Sequence, residues 1–413
     1  MRHLFVHQNF PGQYKNLAPA LSARGDQVVA LGITPRSSLP GVQTLAYKLE
    51  RGNSKDIHPW VSDVETKVIR GEACFKAAMT LKAKGFEPDV IHVHPGWGEG
   101  LFLREAFPKA KILAFFEYYY HPDGADVGFD NEFPRDNPAA GACKVVMKNA
   151  AHILSLNAAD WAVCPTHWQA SSAPSWVRDK MSVIFDGVDT VELRPDRSAW
   201  LKINDSLRLT ADDEVVTFIN RNLEPYRGYH VFMRALPAIM KARPNARILI
   251  VGGNEVSYGA APKQGGSWRQ IFLDEVKGQL DLSRVHFTGR VPYNVLNQIL
   301  RVSTAHVYLT YPFVLSWSMM EAMSLGALVI GSDTQPVREV IEDGVNGLLV
   351  DFFSPHELSE RVIEALDNRA RFAPLRKAAR ETIIKRYDLN STCLPAQISL
   401  VDALASGVIG ARS

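Results

Sequence analysis

At 413 residues the chain exceeds what one hydrophobic core usually supports, so two domains are expected. A hydrophobic fraction of 46% beside 22% charged residues is ordinary for a soluble globular protein. The formal net charge of +2 is too small to argue for a nucleic-acid partner.

The N-terminal stretch MRHLFVHQNF carries only a short apolar run, which reads as a first strand and not as a secretory signal. No run approaches the length of a membrane span, so a cytoplasmic protein is expected. Cys74, Cys143, Cys164 and Cys393 are scattered without C-x-x-C spacing and read as reduced core thiols. The β-rich runs HLFVH, QVVALG, DVIHVH and KILAFF alternate with amphipathic stretches, the mark of βαβ units around a parallel sheet. After the turn-rich FDGVDTVELRPD the alternation restarts, with EVVTFIN, ARILIVGG, RVHFTGR, AHVYLT, ALVIGS and GLLV as strands. The spacing predicts an N-terminal domain over 1–190 and a second α/β domain over 191–385. A helical tail over 386–413, interrupted near Asp388, has the option of packing back on the first domain. In open α/β sheets ligands sit at the carboxyl ends of strands, so residues just after strands are the candidates for chemistry.

Two such places stand out. In PFVLSWSMMEAMSLG the only charge is Glu321. Ser318 and Glu321 fit the S-x-x-E capping box, in which the carboxylate merely closes the start of a helix. The other reading is that this helix N-terminus, following AHVYLT, offers amides to a diphosphate while Glu321 accepts from sugar hydroxyls. In RNLEPYRG, Arg221 and Arg227 follow the strand EVVTFIN, and two guanidiniums at a sheet edge can neutralise a leaving diphosphate.

Taken together with HQNFPGQYKNLAPALSARGDQVVAL, IFDGVDTVELRP, VHFTGRVPYNVL and MMEAMSLGALVIGSD, these stretches resemble glycosyltransferase family 4 over nearly the whole chain. The resemblance implies a GT-B fold: two Rossmann-like, doubly wound parallel-sheet domains facing each other across a cleft. It also implies retaining sugar transfer from a nucleoside diphosphate donor without a metal or other cofactor. Gly12 matches the glycine whose backbone approaches the donor phosphate. Arg221 matches the diphosphate arginine, and Arg227 stands where a lysine is more usual. Val291 and Tyr293 fall where the family contacts the base, and Glu321 matches the glutamate that grips the ribose.

Three departures bear on the sugar. Phe313, eight positions before Glu321, replaces the first glutamate of the family's E-x7-E pair. Ser316, Trp317 and Ser318 replace the usual glycine stretch and are expected to meet the phosphate or sugar, while SDTQPVREV replaces a glycine-rich turn. Glu117, in KILAFFEYYYHPDG, stands where many relatives carry a histidine, and a carboxylate there can stabilise positive charge developing at the anomeric carbon.

The long aromatic and acidic segment YYYHPDGADVGFDNEFPRDNP reads as an acceptor-side loop, with Tyr118, Tyr119 and His121 as candidates beside His94. His7, His92, His94, His121 and His167 lack metal-ligand spacing, so no metal is expected. Lys67, Arg70, Lys76, Lys82 and Lys84 line one predicted helix, which reads as a solvated face while leaving peripheral contact with the inner membrane face open. The expected function is transfer of a sugar to a hydroxyl acceptor, a glycan, lipid-linked glycan or small molecule, in polysaccharide or glycoconjugate synthesis. The rival readings are a noncatalytic sugar-nucleotide or glycan binder and a GT-B sugar-nucleotide epimerase.

Overall fold

The apolar runs form strands buried on both faces, which is why they read as nearly continuous hydrophobic stretches. In the computed structural model, which describes residues 1–34 and 38–410, they build two parallel sheets. The chain divides into two units, Met1–Gly187 with Asn390–Ser413, and Val188–Leu389. The final three residues of the expected tail lie outside the described residues.

The first unit holds β1 (Arg2–Val6), β2 (Gln27–Gly32), β3 (Val42–Ala46), β4 (Val90–Val93), β5 (Lys111–Phe115), β6 (Trp161–Cys164) and β7 (Met181–Val183), in the order β3-β2-β1-β4-β5-β6-β7. Alternation along β1 sends Leu4 and Val6 to one face and Phe5 to the other, so each face has its own core. The helix Leu394–Ala405 closes the second of these cores with Leu400, Val401 and Leu404. It is pinned by Arg24 Nη1 donating to Asp402 Oδ1 at 2.8 Å. β3, β6 and β7 are absent from the sequence-based reading. The reason is physical: β6 and β7 are four and three residues long, and β3 is a half-exposed edge with the pattern of a solvated strand.

The second unit begins with a short hairpin, β8 (Trp200–Lys202) and β9 (Arg208–Thr210), also unanticipated. Its sheet comprises β10 (Val215–Asn222), β11 (Arg247–Gly253), β12 (Val285–Gly289), β13 (Ala305–Tyr308), β14 (Leu328–Ser332) and β15 (Leu348–Val350), in the order β12-β11-β10-β13-β14-β15. Val188 and Leu389 exchange backbone hydrogen bonds with the opposite linker segment, and Arg380 ties Thr190, Leu193 and Ser324 carbonyls together.

The strand order reverses between β1 and β4 in the first unit and between β10 and β13 in the second. Such sheets bind ligands at the carboxyl edge beside the strands where the order reverses.

Two sequence expectations need correction. Cys74, Cys164 and Cys393 are buried, but Cys143 is exposed on the helix Pro138–Lys148, whose residues are nowhere buried. The lysine-bearing helix Ser62–Ala83 is not simply solvated, because Lys67 is buried and its ammonium meets Asp63 at 2.7 Å and the Lys148 carbonyl at 2.9 Å. Lys76 pairs with Glu50 and Glu72, and Lys82 donates to the Ala106 carbonyl. Among the described residues no helix is long and apolar enough to cross a membrane.

Buried imidazoles set an acid limit on stability. Burial holds His152 in the first unit and His306 in the second down to about 3, so both are neutral in the folded chain. Unfolded, each recovers the ordinary value of 6.5 and binds a proton below it. Stability is therefore complete above pH 6.5 and falls as pH drops, by roughly 1.5 kcal/mol per histidine between pH 6.5 and 5. Urea midpoints measured across that interval check this; a flat profile would mean that these rings titrate freely in the fold.

Candidate active site

In the second unit the site grows from the turn after β10. Arg221 lies at the end of the strand, exposed, and its side chain makes no hydrogen bond or ion pair among the described residues. The chain then tightens into Pro225–Arg227 and leaves through Gly228 at φ 68°. A Cβ there would meet the Leu309 Cβ at 2.4 Å, so the close approach of β10 and β13 loops demands glycine. This turn drives Arg227 inward until it is only 4% exposed.

Arg227 donates to Thr310 Oγ1 at 2.7 Å and to the Val314 carbonyl at 3.2 Å, and reaches the Tyr308 hydroxyl at 3.4 Å. Its guanidinium carbon sits 4.9 Å from the Tyr258 ring centroid. No carboxylate pairs with it among the described residues. The nearest acid in sequence, Glu224, is buried too, but its carboxylate accepts from the amides of Ser257, Tyr258 and Gly259 at 3.0–3.2 Å. A buried cation satisfied only by neutral acceptors is costly and is a natural anion receptor.

The same Tyr308 hydroxyl accepts from the Ser316 amide at 2.8 Å, which links Arg227 to the start of the helix Trp317–Ser324. Ser316, not Ser318, is the cap: its hydroxyl accepts from the Ser318 amide and lies 2.9 Å from the Ser318 hydroxyl. The capping-box reading of Ser318 and Glu321 therefore fails, because Glu321 lies more than a turn inside the helix. Instead Glu321 Oε1 accepts from the Tyr293 hydroxyl at 2.7 Å. Glu321 is buried and Tyr293 is 45% exposed, so a carboxylate is held at the base of a solvent-facing ring. Burial, then the Glu321 charge, push the Tyr293 hydroxyl well above its usual range. Val291, half-buried, lies two residues before the helix Tyr293–Arg301 that carries Tyr293, and Trp317 is 36% exposed at the start of Trp317–Ser324.

Phe313, at the position of the missing glutamate, is 3% exposed and packs edge-on against Tyr226 and Tyr258 at 5.2 and 5.3 Å. An aromatic wall thus stands beside Arg227 where the family resemblance implied a carboxylate. Two members of this wall, Tyr226 and Tyr258, and the brace Glu224 escaped sequence reasoning. Glu224 and Tyr226 were within reach, since both stand inside RNLEPYRG; the Tyr258 loop carries no pattern that marks it.

In the first unit, Gly12 opens the turn after β1 at φ 50°, with the His7 ring directly against its α-carbon. His94, after β4, is 1% exposed and stacks on Trp97 at 4.0 Å. Its Nδ1 accepts from the Gly96 amide at 3.2 Å, which leaves the proton on Nε2. That nitrogen lies 3.6 Å from Glu117 Oε2, an electrostatic contact longer than a hydrogen bond. Burial pushes the Glu117 carboxyl up, but the adjacent His94 imidazole outweighs it and holds the group below the usual range.

The predicted loop contains no helix or strand between Phe115 and Pro138. Tyr118 turns inward, 2% exposed with its hydroxyl 3.3 Å from Asp126, so its ring offers no stacking face; that acceptor assignment is corrected. Tyr119 and His121 stay half-buried with rings 5.4 Å apart, both anchored on Ser172. The structure thus joins Gly12 to His7, His94 to Glu117, Tyr293 to Glu321, and Arg227 to Ser316 through Tyr308.

Two doubly wound parallel sheets, with the candidate residues after their switch-point strands, define the fold class as GT-B. Residues 24–193 match the family model for the glycosyl transferase family 4 group, and residues 202–386 match that for glycosyl transferases group 1. The chain belongs to this glycosyltransferase family. It is 26% identical over 214 residues to D-inositol 3-phosphate glycosyltransferase of Acidothermus cellulolyticus, covering 51% of this chain and 46% of the relative. The chain thus spans about half the length of that curated relative. The fold is similar to sucrose-phosphate synthase from Thermosynechococcus elongatus, with TM-score 0.74 at 18% identity over 98% of this chain and 100% of the other. It is also similar to Anabaena HepE in complex with UDP and glucose, with TM-score 0.63 at 14% identity over 98% and 99% of the two chains.

Proposed function

We propose that this protein transfers a sugar from a nucleoside diphosphate donor to a hydroxyl acceptor, with retention at the anomeric carbon and without a metal. The observation that carries the reading is the buried Arg227 guanidinium, which has only neutral partners at the switch point of the second sheet. A diphosphate supplies the missing anion. Arg221, exposed and uncommitted at the end of the same strand, adds a second charge as the bond to the leaving group breaks. Ser316, Trp317 and Ser318 start the helix whose dipole favours the same phosphates.

The Tyr293–Glu321 pair is suited to the nucleoside: the ring offers a face to a base, and the carboxylate accepts from ribose hydroxyls. In the first unit the Gly12 backbone serves the donor phosphate, while the Glu117 carboxylate, held ionised beside His94, stabilises positive charge at the anomeric carbon. The departing diphosphate takes the acceptor proton, so no protein base is needed. Tyr119 and His121 are the remaining acceptor-side candidates. Support also comes from the family itself and from the UDP and glucose named for Anabaena HepE.

A thermal-shift panel of nucleoside diphosphates and their sugars tests this, followed by product analysis with the donor that binds. A true donor at a hundredfold excess over its dissociation constant stabilises the fold by ~2.7 kcal/mol. Absence of any shift by all nucleoside diphosphates would end the proposal. A shift without product across a broad acceptor screen would reduce it to a binding protein, and product from donor alone would make it an epimerase.

A further inference from the structure

Hydrogen bonds anchor Arg227 at one corner. Its bonds to Thr310 Oγ1, the Val314 carbonyl and the Tyr308 hydroxyl all leave from Nη1. Nε and Nη2, the edge that forks side-on onto phosphate oxygens, give none of these bonds. A planar guanidinium held at one nitrogen can still tilt about that point, so bidentate binding needs a second contact that sets its plane. Tyr258 supplies one. The guanidinium carbon lies 4.9 Å from the centre of the Tyr258 ring, within the range at which a cation is held against an aromatic face.

The ring in turn is held from several sides. It comes from the segment between β11 and the helix Trp268–Val276, which has no helix or strand of its own. In place of a ladder, the Glu224 carboxylate, 1% exposed, gathers three consecutive amides: Ser257 at 3.1 Å, Tyr258 at 3.2 Å and Gly259 at 3.0 Å. Hydrogen bonds to a charged acceptor are stronger than those between neutral groups. Asn222 Nδ2 donates to Ser257 Oγ at 2.7 Å, and the Trp268 indole donates to the Ala260 carbonyl at 2.8 Å. The Tyr258 ring itself meets Tyr226 at 5.7 Å and Phe313 at 5.3 Å, although the residue is still 38% exposed. Glu224 stands three positions from Arg227 in the chain, yet its charge is committed to loop amides and not to the guanidinium. The cation is thereby oriented without being neutralised.

We propose that Tyr258 is a positioning residue that sets the plane of the Arg227 fork, and that Glu224 positions Tyr258 through the loop amides. The proposal rests on the reading of Arg227 as the diphosphate receptor. It also accounts for arginine at a position where the family resemblance implied lysine, because an ammonium has no plane for a ring to set.

The test is a double-mutant cycle read by calorimetric titration with UDP, GDP and ADP, the tightest binder being carried forward. Tyr258→Leu is expected to weaken that nucleotide about tenfold in the wild-type background and by less than about twofold beside Arg227→Lys, where no plane is left to set. Tyr258→Phe keeps the ring and is expected to recover the affinity. Glu224→Gln keeps the volume without the charge and is expected to lose affinity with the same dependence on Arg227. An equal loss from Tyr258→Leu in both backgrounds would make the tyrosine purely structural and overturn the proposal, as would Tyr258→Phe binding no better than Tyr258→Leu. A second measurement needs no nucleotide: rotation about the Arg227 Nε–Cζ bond, followed by NMR of protein labelled at arginine, is expected to quicken in Tyr258→Leu and not in Tyr258→Phe. Equal rotation in wild type and both variants overturns the positioning role even where nucleotides bind. If no nucleotide binds the wild type, or Arg227→Lys binds as tightly as wild type, the diphosphate reading is what fails, and the rotation alone then decides whether Tyr258 positions the arginine.

Discussion

Replacing Arg227 by methionine is expected to lower turnover about 10²- to 10³-fold while leaving the ligand-free protein as stable as wild type or more so. The two halves of this expectation come from one geometry. The guanidinium is 4% exposed and bonded to Thr310 Oγ1 and the Val314 carbonyl, with no carboxylate beside it among the described residues. Burial works against that charge and only neutral groups offset it, so the fold is expected to lose little when an apolar chain of similar length takes its place. Thr310 keeps a partner, because its hydroxyl also donates to the Tyr311 carbonyl at 2.9 Å. Under the proposed function the transition state, by contrast, loses a preorganised cation at the leaving diphosphate. Arg227→Lys keeps the charge without the fork and is expected to fall between the two. Calorimetry and single-turnover rates on the same preparations check both halves. If turnover survived in Arg227→Met, the diphosphate assignment would be wrong; if stability collapsed with activity, the arginine would be a structural residue.

The sequence revealed the sheets through their apolar runs, because parallel strands buried on both faces leave little room for polar residues. Short strands escaped for the opposite reason: Met181–Val183 holds too few residues to show a period. At the site, legibility followed the same logic of locality. Gly12, Arg227 and Glu321 could be singled out as candidates because each lies in a short stretch whose chemistry is self-contained. The aromatic wall does not, because Tyr226, Tyr258 and Phe313 come from three separate loops and acquire meaning only at 5–6 Å from each other. Tyr118 illustrates the reverse error, an aromatic in a promising loop that the backbone turns into the core. Ser316 shows how a cap two residues from the expected one changes the role of an acid further along the helix.

Gly12 carries the second large expectation. Its φ of 50° alone disfavours any side chain, and an added Cβ would fall 2.3 Å from His7 Nε2 and 2.5 Å from Cε1. The ring cannot simply swing aside, because His7 Nδ1 accepts from the Asn9 amide at 3.0 Å and the ring packs against Trp97 at 4.8 Å. Gly12→Ala is therefore expected to destabilise the chain by about 1–3 kcal/mol through strain and displaced packing, and to cost turnover beyond what that loss explains. Gly25→Ala is the matched control, since Gly25 has φ 98° with nothing within 4 Å of its added Cβ. Both variants share the backbone penalty, but only Gly12→Ala moves the His7 ring and the loop amides that the proposed function assigns to the donor phosphate. Comparing turnover of the two at a temperature where both are folded separates these contributions. Equal activity in the pair would remove the Gly12 backbone from the reaction and leave it a purely structural turn.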